Sequence, residues 1–385
     1  MTPRSEDPSR VIEGNERVVR PRLADAKFFF DQDRKKTLES RVDGLSKVVY
    51  HGKLGTQAQR VQRVRSIAGE IGQLLGGPVL AQQADRAALL AKADLLTDMV
   101  AEFPQLQGVM GGYYARHDGE PEAIAFAVED HYKPRFAGDV LPRHAVGVVV
   151  ALADKLETLA GLFGIGQAPT GDKDPFALRR HALGVVRMLI ERQLALVVPQ
   201  LMSISFAAFP PAHGQAQDEV SHFLYERLMG YLREQGYSAH EVDAVIALRP
   251  TWAEIPRRLA AVRAFAQLPE AAALAAANKR VGNILKKSEN TAASPLSPAL
   301  LIEPAEQALA AALRDVAQPA ESAFAAGDHA ASLRALAALR GPVDAFFETV
   351  MVNVEDPALR NNRLALLASL HAAMNRVADL SRLAH

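Results

Sequence analysis

The chain has 385 residues, of which 49% are hydrophobic and 23% are charged, and Lys plus Arg and Asp plus Glu each number 44. This length accommodates two or three domains, and the balanced charge excludes a global basic field, so any nucleic-acid binding must come from local patches. Cysteine is absent, which excludes a disulfide framework, a thiolate zinc site and a cysteine nucleophile.

The amino-terminal residues indicate neither export nor membrane insertion. Met1 to Asp7 are polar, no apolar signal segment follows them, and no run of about 18 apolar residues predicts a membrane span. We therefore expect a cytoplasmic protein with no membrane partner. Residues 1–45 also carry the cluster Phe28-Phe29-Phe30, which is too short to build a core alone and is interpreted as a segment that packs on its neighbours.

From Leu38 onward, apolar residues recur at helical spacing along most of the chain. Later helices are predicted over residues 85–103, 121–132, 142–163, 174–198, 218–235, 239–248, 269–287 and 356–383. Residues 146–150 also fit a buried strand, but the helical spacing continues to Leu159 and favours a helix. Breaks are predicted at 203–217 and 288–298, where proline and polar residues accumulate. The predicted fold class is all-α.

A glycine-rich loop runs into a sharply started helix over residues 163–180, with the sequence FGIGQAPTGDKDPFALRR. Asp174 is a natural N-cap and Pro175 a natural first helical residue. The segment supplies geometry but no set of acid, base and nucleophile, so we expect a structural or inter-subunit role. It closely resembles the loop-plus-helix segment of the β subunit of bacterial heterotetrameric glycyl-tRNA synthetase.

Residues 46–200 resemble an HD-type phosphohydrolase domain that has lost part of its metal site. HD enzymes gather a first His, a His-Asp pair and a last Asp around a divalent metal. His51 and Asp154 stand where the first His and the last Asp would be, but Lys92 and Ala93 replace the pair before Asp94. Since an ammonium in that position would repel a metal ion, His51, Asp94 and Asp154 are only weak metal candidates. We expect a domain that has kept the fold and lost the hydrolase.

The last helix combines an apolar stripe with arginines near its start. On a helical projection Arg363 falls within the stripe and Arg360 at its edge. Arginines in the first turns oppose the helix dipole, which suggests a partner. That partner is either an internal carboxylate such as Asp344 or Glu348, or an external phosphate.

The alanine-rich helix carries basic and amide side chains that suit an RNA ligand. Lys279 and Arg280 precede the helix end and are candidates for phosphate contacts, while Asn278 and Asn283 are candidates for reading base edges. Lys286 and Lys287 are weaker evidence, because the helix dipole alone favours lysines there.

Several longer motifs extend the resemblance over nearly the whole chain. Residues 280–285, 343–352 and 360–364 resemble the anticodon-binding helical bundle shared with arginyl-tRNA synthetase, and Gly14-Asn15-Glu16, residues 20–29 and residues 108–111 resemble the glycyl β subunit. The implied organisation is an N-terminal remnant (1–45), a degenerate HD-like domain (46–200), a helical linker region (201–254) and an anticodon-binding bundle (255–385).

The resemblance implies a β subunit that binds glycine tRNA, including its anticodon arm, in an α2β2 heterotetramer. The α subunit would activate and transfer glycine with ATP and magnesium, so this chain would carry no catalytic residue and no cofactor of its own. The implied tRNA-binding residues are Lys279, Arg280, Asn283, Arg360 and Arg363. Family members carry a substantial region before Gly14-Asn15-Glu16, so we expect a truncated product or a fragment. The alternatives are a metal-dependent HD-type phosphohydrolase and a non-catalytic helical scaffold.

Overall fold

The computed structural model describes residues 8–288 and 295–384. Within these ranges the only sheet is a two-stranded hairpin and the remaining regular structure is helical, which confirms the all-α prediction. None of the described helices combines the length and the apolar character needed to span a membrane. Part of the predicted break at 288–298 lies outside the described residues. The chain divides after Arg227 into two compact units.

The first unit contains a short hairpin and a set of α-helices that surround one central helix. Its elements are α1 (Pro8–Asp33), β1 (Val49–His51), β2 (Gly55–Thr56), α2 (Gln57–Leu90), α3 (Asp98–Glu102), α4 (Val109–His117), α5 (Glu122–Asp130), α6 (Ala145–Gly164), α7 (Leu178–Glu191) and α8 (Val198–Ala207). Helix α9 (Gln217–Glu234) crosses the division between the units. Short 3-10 turns at Glu39–Lys47, Ala93–Leu96 and Pro104–Leu106 connect the first helices.

Helix α6 is the central element of the first unit. Every residue from Val146 to Phe163 is buried, because the helix is apolar on nearly all of its faces and packs against α2, α5, α7 and α8. This observation confirms a helix where a strand was the alternative. Three charged side chains, Asp154, Lys155 and Glu157, lie in the same buried stretch, and they need partners in the core.

Helix α2 is bent sharply near its middle. Gly76 and Gly77 leave helical geometry and Gly77 has φ +70°, a conformation that glycine adopts without steric cost. Pro78 then restarts the helix. The two segments approach so closely that a Cβ on Gly72 would lie 2.7 Å from the Cα of Ala81. The predicted helix at 85–103 was therefore wrong at its start, since Asp85 lies within α2, and the chain leaves α2 after Leu90.

The second unit is a helical bundle around a fully buried Trp252 and Phe346. Its helices are α10 (Ala239–Ile246), α11 (Ile255–Ala266), α12 (Ala271–Lys287), α13 (Pro304–Ala325), α14 (His329–Ala335), α15 (Arg340–Thr349) and α16 (Pro357–Met374). Short 3-10 turns lie at Trp252–Glu254, Pro298–Leu300, Leu336–Leu339 and Leu380–Leu383. The predicted final helix therefore ends at Met374, nine residues before its expected end at 383, and the chain closes on a separate turn.

The helix predicted to begin at Asp174 begins later, at Leu178. Ala177 adopts a left-handed conformation with φ 54°, which interrupts the helix after Pro175. The Asp174 carboxylate nevertheless caps α7 from a distance, because it accepts hydrogen bonds from the backbone N–H groups of Leu178 at 2.7 Å and Arg179 at 2.9 Å. The carboxylate thus satisfies two of the N–H groups that the first helical turn leaves open.

Substitution of this remote cap tests its contribution to stability. We expect Asp174→Ala to lower the free energy of unfolding by about 0.5–2 kcal/mol, the usual cost of losing an N-cap. The measurement is chemical denaturation followed by circular dichroism. Asp172→Ala is the matched control, since Asp172 is exposed in the same loop, and equal effects of the two substitutions would contradict the assignment.

Candidate functional site

Helix α12 carries a polar face that lines a groove in the second unit. Lys279, Asn283 and Lys286 follow one another at intervals of four and three residues, which places them on one side of the helix. All three line a groove of about 540 Å3, whose opposite wall includes His371 of α16 and Arg382 of the last turn. The groove therefore brings together two of the predicted RNA-binding residues, Lys279 and Asn283.

The wall of the groove that α12 forms is basic. Lys279 and Lys286 are exposed, and within the described residues neither ammonium forms an ion pair. Arg382 is paired with Asp379, with 3.0 Å between Nε and Oδ2. Burial, with a further contribution from the nearby Lys286, lowers the pKa of His371 below its usual value. This arrangement offers two free cations to phosphates and a neutral amide to a base edge.

Arg280 and Arg360 lie outside this groove. Arg280 is exposed, and its guanidinium lies 4.2 Å from the ring centroid of Phe347 on α15. Arg360 is half-buried in the first turns of α16, behind the N-cap carboxylate of Asp356. Within the described residues the Arg360 guanidinium has no acidic partner, so it is available to an external anion.

Arg363 is an internal residue in this structure, which corrects its assignment as a tRNA contact. Only 4% of the residue is exposed, and its guanidinium donates to the Glu306 carboxylate and to the backbone oxygen of Met351. The internal ion pair that the sequence left open is therefore the one observed. Its partner is Glu306 of α13, and neither Asp344 nor Glu348 takes that role.

Asn278 is likewise internal and not positioned to read a base. It is fully buried and exchanges side-chain hydrogen bonds with Asn375, at 2.8 and 3.2 Å. Lys286 also lines the groove, although the helix dipole alone would account for a lysine at its position. Its spacing of three residues from Asn283 was the signal that would have placed it in the groove.

The first unit contains a buried charge cluster at the position of the predicted metal site. Asp154 is 3.1 Å from Arg60 and 3.1 Å from the Lys92 ammonium. Arg60 also bonds Glu157 at 3.1 Å and Thr158 at 2.9 Å. Burial alone would raise the pKa of Asp154, but Arg60 and Lys92 keep it well below its usual value. The lysine that replaces the expected His-Asp pair thus supplies a positive charge directly to Asp154.

The basic groups around Asp154 are strongly affected by burial. Burial lowers the pKa of Lys92 and of Lys155 to about 8 each. It also lowers the pKa of His181 to about 3 and that of His131 well below its usual value. Both imidazoles are therefore neutral at pH 7, and the positive charge of this core resides on the lysines and arginines.

The three predicted metal candidates do not form a metal site. The ring of His51 packs edge-on against Phe176. One carboxylate oxygen of Asp94 accepts hydrogen bonds from the backbone N–H groups of Gly108 and Gly111, at 2.6 and 3.1 Å. Asp154 is engaged by cations, and among the described residues no group of three His, Asp or Glu side chains could bind a metal ion. The geometry around Asp154 is that of an ion-pair network.

Comparison with known proteins gives two family matches. The family model described as Glycyl-tRNA synthetase beta subunit matches residues 2–247, and the one described as DALR anticodon binding domain matches residues 274–380. Glycine–tRNA ligase beta subunits of Thiobacillus denitrificans and Dechloromonas aromatica are each 68% identical, and that of Delftia acidovorans is 67% identical. Each alignment covers 98% of this chain but 54% of the relative, so the chain spans about half the length of these curated relatives.

The buried ion pair between Arg363 and Glu306 predicts that substitutions of two neighbouring arginines change the stability of the protein by very different amounts. Arg363→Ala leaves the fully buried Glu306 carboxylate without its partner, so we expect the free energy of unfolding to fall by roughly 3–5 kcal/mol. Arg360→Ala is the control and should change it by no more than about 0.5 kcal/mol. Urea denaturation of both variants is the measurement, and similar losses would show that Arg363 is not a structural residue.

The cluster in the first unit predicts that divalent metal does not bind there. Because Arg60 and Lys92 already neutralise Asp154, we expect equilibrium dialysis to show no stoichiometric binding of Mn2+. We also expect an assay with Mn2+ to show no phosphodiesterase activity. Elemental analysis of the purified protein provides a second readout. Stoichiometric metal that is lost in both His51→Ala and Asp154→Asn would contradict this prediction and favour the HD-type hydrolase.

Proposed function

Since this chain belongs to the glycyl-tRNA synthetase beta-subunit family, we propose that it binds tRNA(Gly) and contributes that binding to a glycine–tRNA ligase. The second unit would bind the anticodon arm. The observation that carries the proposal is the groove on α12, because Lys279, Asn283 and Lys286 present two cations and an amide on one surface. The match of residues 274–380 to an anticodon-binding family supports the same assignment.

The binding surface that we propose extends beyond the groove. Within the groove, Lys279 and Lys286 would contact phosphates and Asn283 would contact a base edge. Arg280 and Arg360, which lie on neighbouring faces of α12 and α16, would contact further phosphates. A cation stacked on an aromatic ring, as Arg280 is on Phe347, is held in place and still presents its N–H edge to a ligand. Arg363 is left out of the surface because it is buried against Glu306.

The chemical steps are proposed to take place on a separate α subunit. That subunit would bind ATP, magnesium and glycine and would pair with this chain in an α2β2 assembly in the cytoplasm. The ion-pair network around Asp154 supports this division, since its carboxylates are occupied by arginine and lysine side chains. The role proposed for this chain is accordingly recognition of the tRNA.

The groove is tested by binding of tRNA(Gly) to variants of one helix. We expect Lys279→Ala and Lys286→Ala each to weaken binding and to reduce the slope of log Kd against log salt by roughly 0.7–0.9, the change for one lost phosphate contact. Lys287→Ala is the matched control, because Lys287 is exposed on the same helix but does not line the groove. Gel-shift titrations at several salt concentrations, with and without the α subunit, give the measurement.

Anticodon recognition has its own readout in the same experiment. Asn283→Ala should bring the affinities for tRNA(Gly) and for anticodon variants closer together, while Lys279→Ala should weaken both by the same factor. Binding of the wild-type chain that ignores the anticodon, or that is equally sensitive to Lys287→Ala, would refute the proposal. The non-catalytic scaffold would then be the better explanation.

A further inference from the structure

The first unit contains a cavity of about 460 Å3 that the proposed function leaves unused. Four segments form its wall: the hairpin turn at residues 52–55, Gln59 and Arg63 of α2, the end of α6 at Gly164 and Ile165, and residues between 209 and 214 after α8. This volume lies in the range of small-molecule pockets, roughly 300–1,000 Å3. The glycine-rich loop that sequence analysis singled out therefore begins at the wall of a cavity.

Two loops of the wall approach each other closely at glycines. A Cβ on Gly164 would lie 1.9 Å from Nε2 of His213, and a Cβ on Gly214 would lie 2.3 Å from the backbone oxygen of Gly164. The Gly214 N–H donates to that oxygen at 3.2 Å. A side chain at Gly214 would collide with the backbone of Gly164, and one at Gly164 would displace the His213 ring. The close approach of the two loops therefore depends on these glycines.

The charged side chains that line the cavity are cationic. Lys53 and Arg63 contribute to the wall, and no aspartate or glutamate of the described chain lines it. The Arg63 guanidinium lies 4.8 Å from the ring centroid of Phe209 and donates from Nε to Glu157 at 2.8 Å. Its buried Nη2 has no hydrogen-bond partner within the described residues. Such a buried donor is costly unless it finds an acceptor.

The network behind the wall holds as many carboxylates as cations, because Asp94 also acts on Lys92 and Asp139 also acts on Lys155. It joins the cations Arg60, Arg63, Lys92 and Lys155 to the carboxylates Asp154 and Glu157. Lys155 is bonded to backbone oxygens, with 2.9 Å from Nζ to that of Lys133. Arg63 is the member of the network that lines the cavity, so its guanidinium is the charge that an anion placed there meets. The sign of the ligand is set by the lining itself, in which Lys53 and Arg63 are the charged side chains among the described residues.

From this geometry we propose that the cavity binds a phosphate group carried by a ligand of about mononucleotide size. Arg63 would donate from its planar guanidinium, Lys53 would add a mobile positive charge, and the remaining volume would take the organic part. Arginine and lysine with glycine-rich backbone are the groups that bind phosphates in proteins. The phosphate would come from a free nucleotide or from a nucleic-acid end. The proposal does not depend on the groove in the second unit.

The test is a calorimetric titration of the full chain with AMP, with adenosine, and with a short single-stranded RNA that has a terminal phosphate. We expect saturable binding of AMP or of the RNA and none of adenosine. Lys53→Gln should raise the Kd by roughly tenfold, the usual effect of losing one charge-assisted hydrogen bond. Lys47→Gln is the matched control, because Lys47 is exposed just before β1 and does not line the cavity.

A second variant examines the guanidinium itself. Arg63→Lys keeps the positive charge but loses the planar pair of donors, so it should weaken binding while the melting temperature reports whether the core has survived. Binding of AMP that is weakened by Lys53→Gln identifies a free nucleotide as the ligand. Binding of the RNA without AMP identifies a nucleic-acid end when Lys53→Gln weakens it and Lys279→Ala, in the groove of the second unit, does not. Absence of both, or equal effects of Lys53→Gln and Lys47→Gln, overturns the proposal.

Discussion

The first unit depends on how the chain neutralises one carboxylate in the middle of its central helix. Asp154 lies in a stretch of α6 that is buried on every side, where an unpaired charge would be prohibitively costly. Arg60 of α2 and Lys92, which follows α2, provide the compensating charges. The same contacts fix the packing of α2 on α6. Charge compensation and helix packing are therefore one interaction in this core, and neither could be removed alone.

In the second unit, a single ion pair compensates the charge of a buried carboxylate. Arg363 of α16 reaches Glu306 of α13 in the interior of the bundle. A buried pair of this kind gives little net stability compared with apolar residues, but it penalises any packing that separates its members. The pair thus fixes the register between α13 and α16. Lys279 and Lys286 are exposed and form no ion pair within the described residues, so they do not fix helix packing in this way.

The sequence predicted what depends on local pattern and missed what depends on distant contacts. Helical periodicity located α6 and α12 and favoured a helix over a strand at 146–150, because apolar spacing is a local property. The helix start at Leu178 was missed, since Asp174 caps it across a left-handed Ala177. The burial of Arg363 and Asn278 was decided by Glu306 and Asn375, residues 57 and 97 positions away in the chain. A helical projection shows which face a residue occupies, but not which element covers that face.

The neutralisation of Asp154 by Lys92 also determines how the core responds to its surroundings. A bound ion stabilises a protein by an amount that grows with the logarithm of its free concentration. Lys92 belongs to the same chain as the Asp154 carboxylate that it neutralises, so its local concentration is constant and it cannot dissociate into solvent. The stability that it provides is therefore the same in dilute solution and in the presence of a chelator. Charge compensation at Asp154 needs no ion from the solvent.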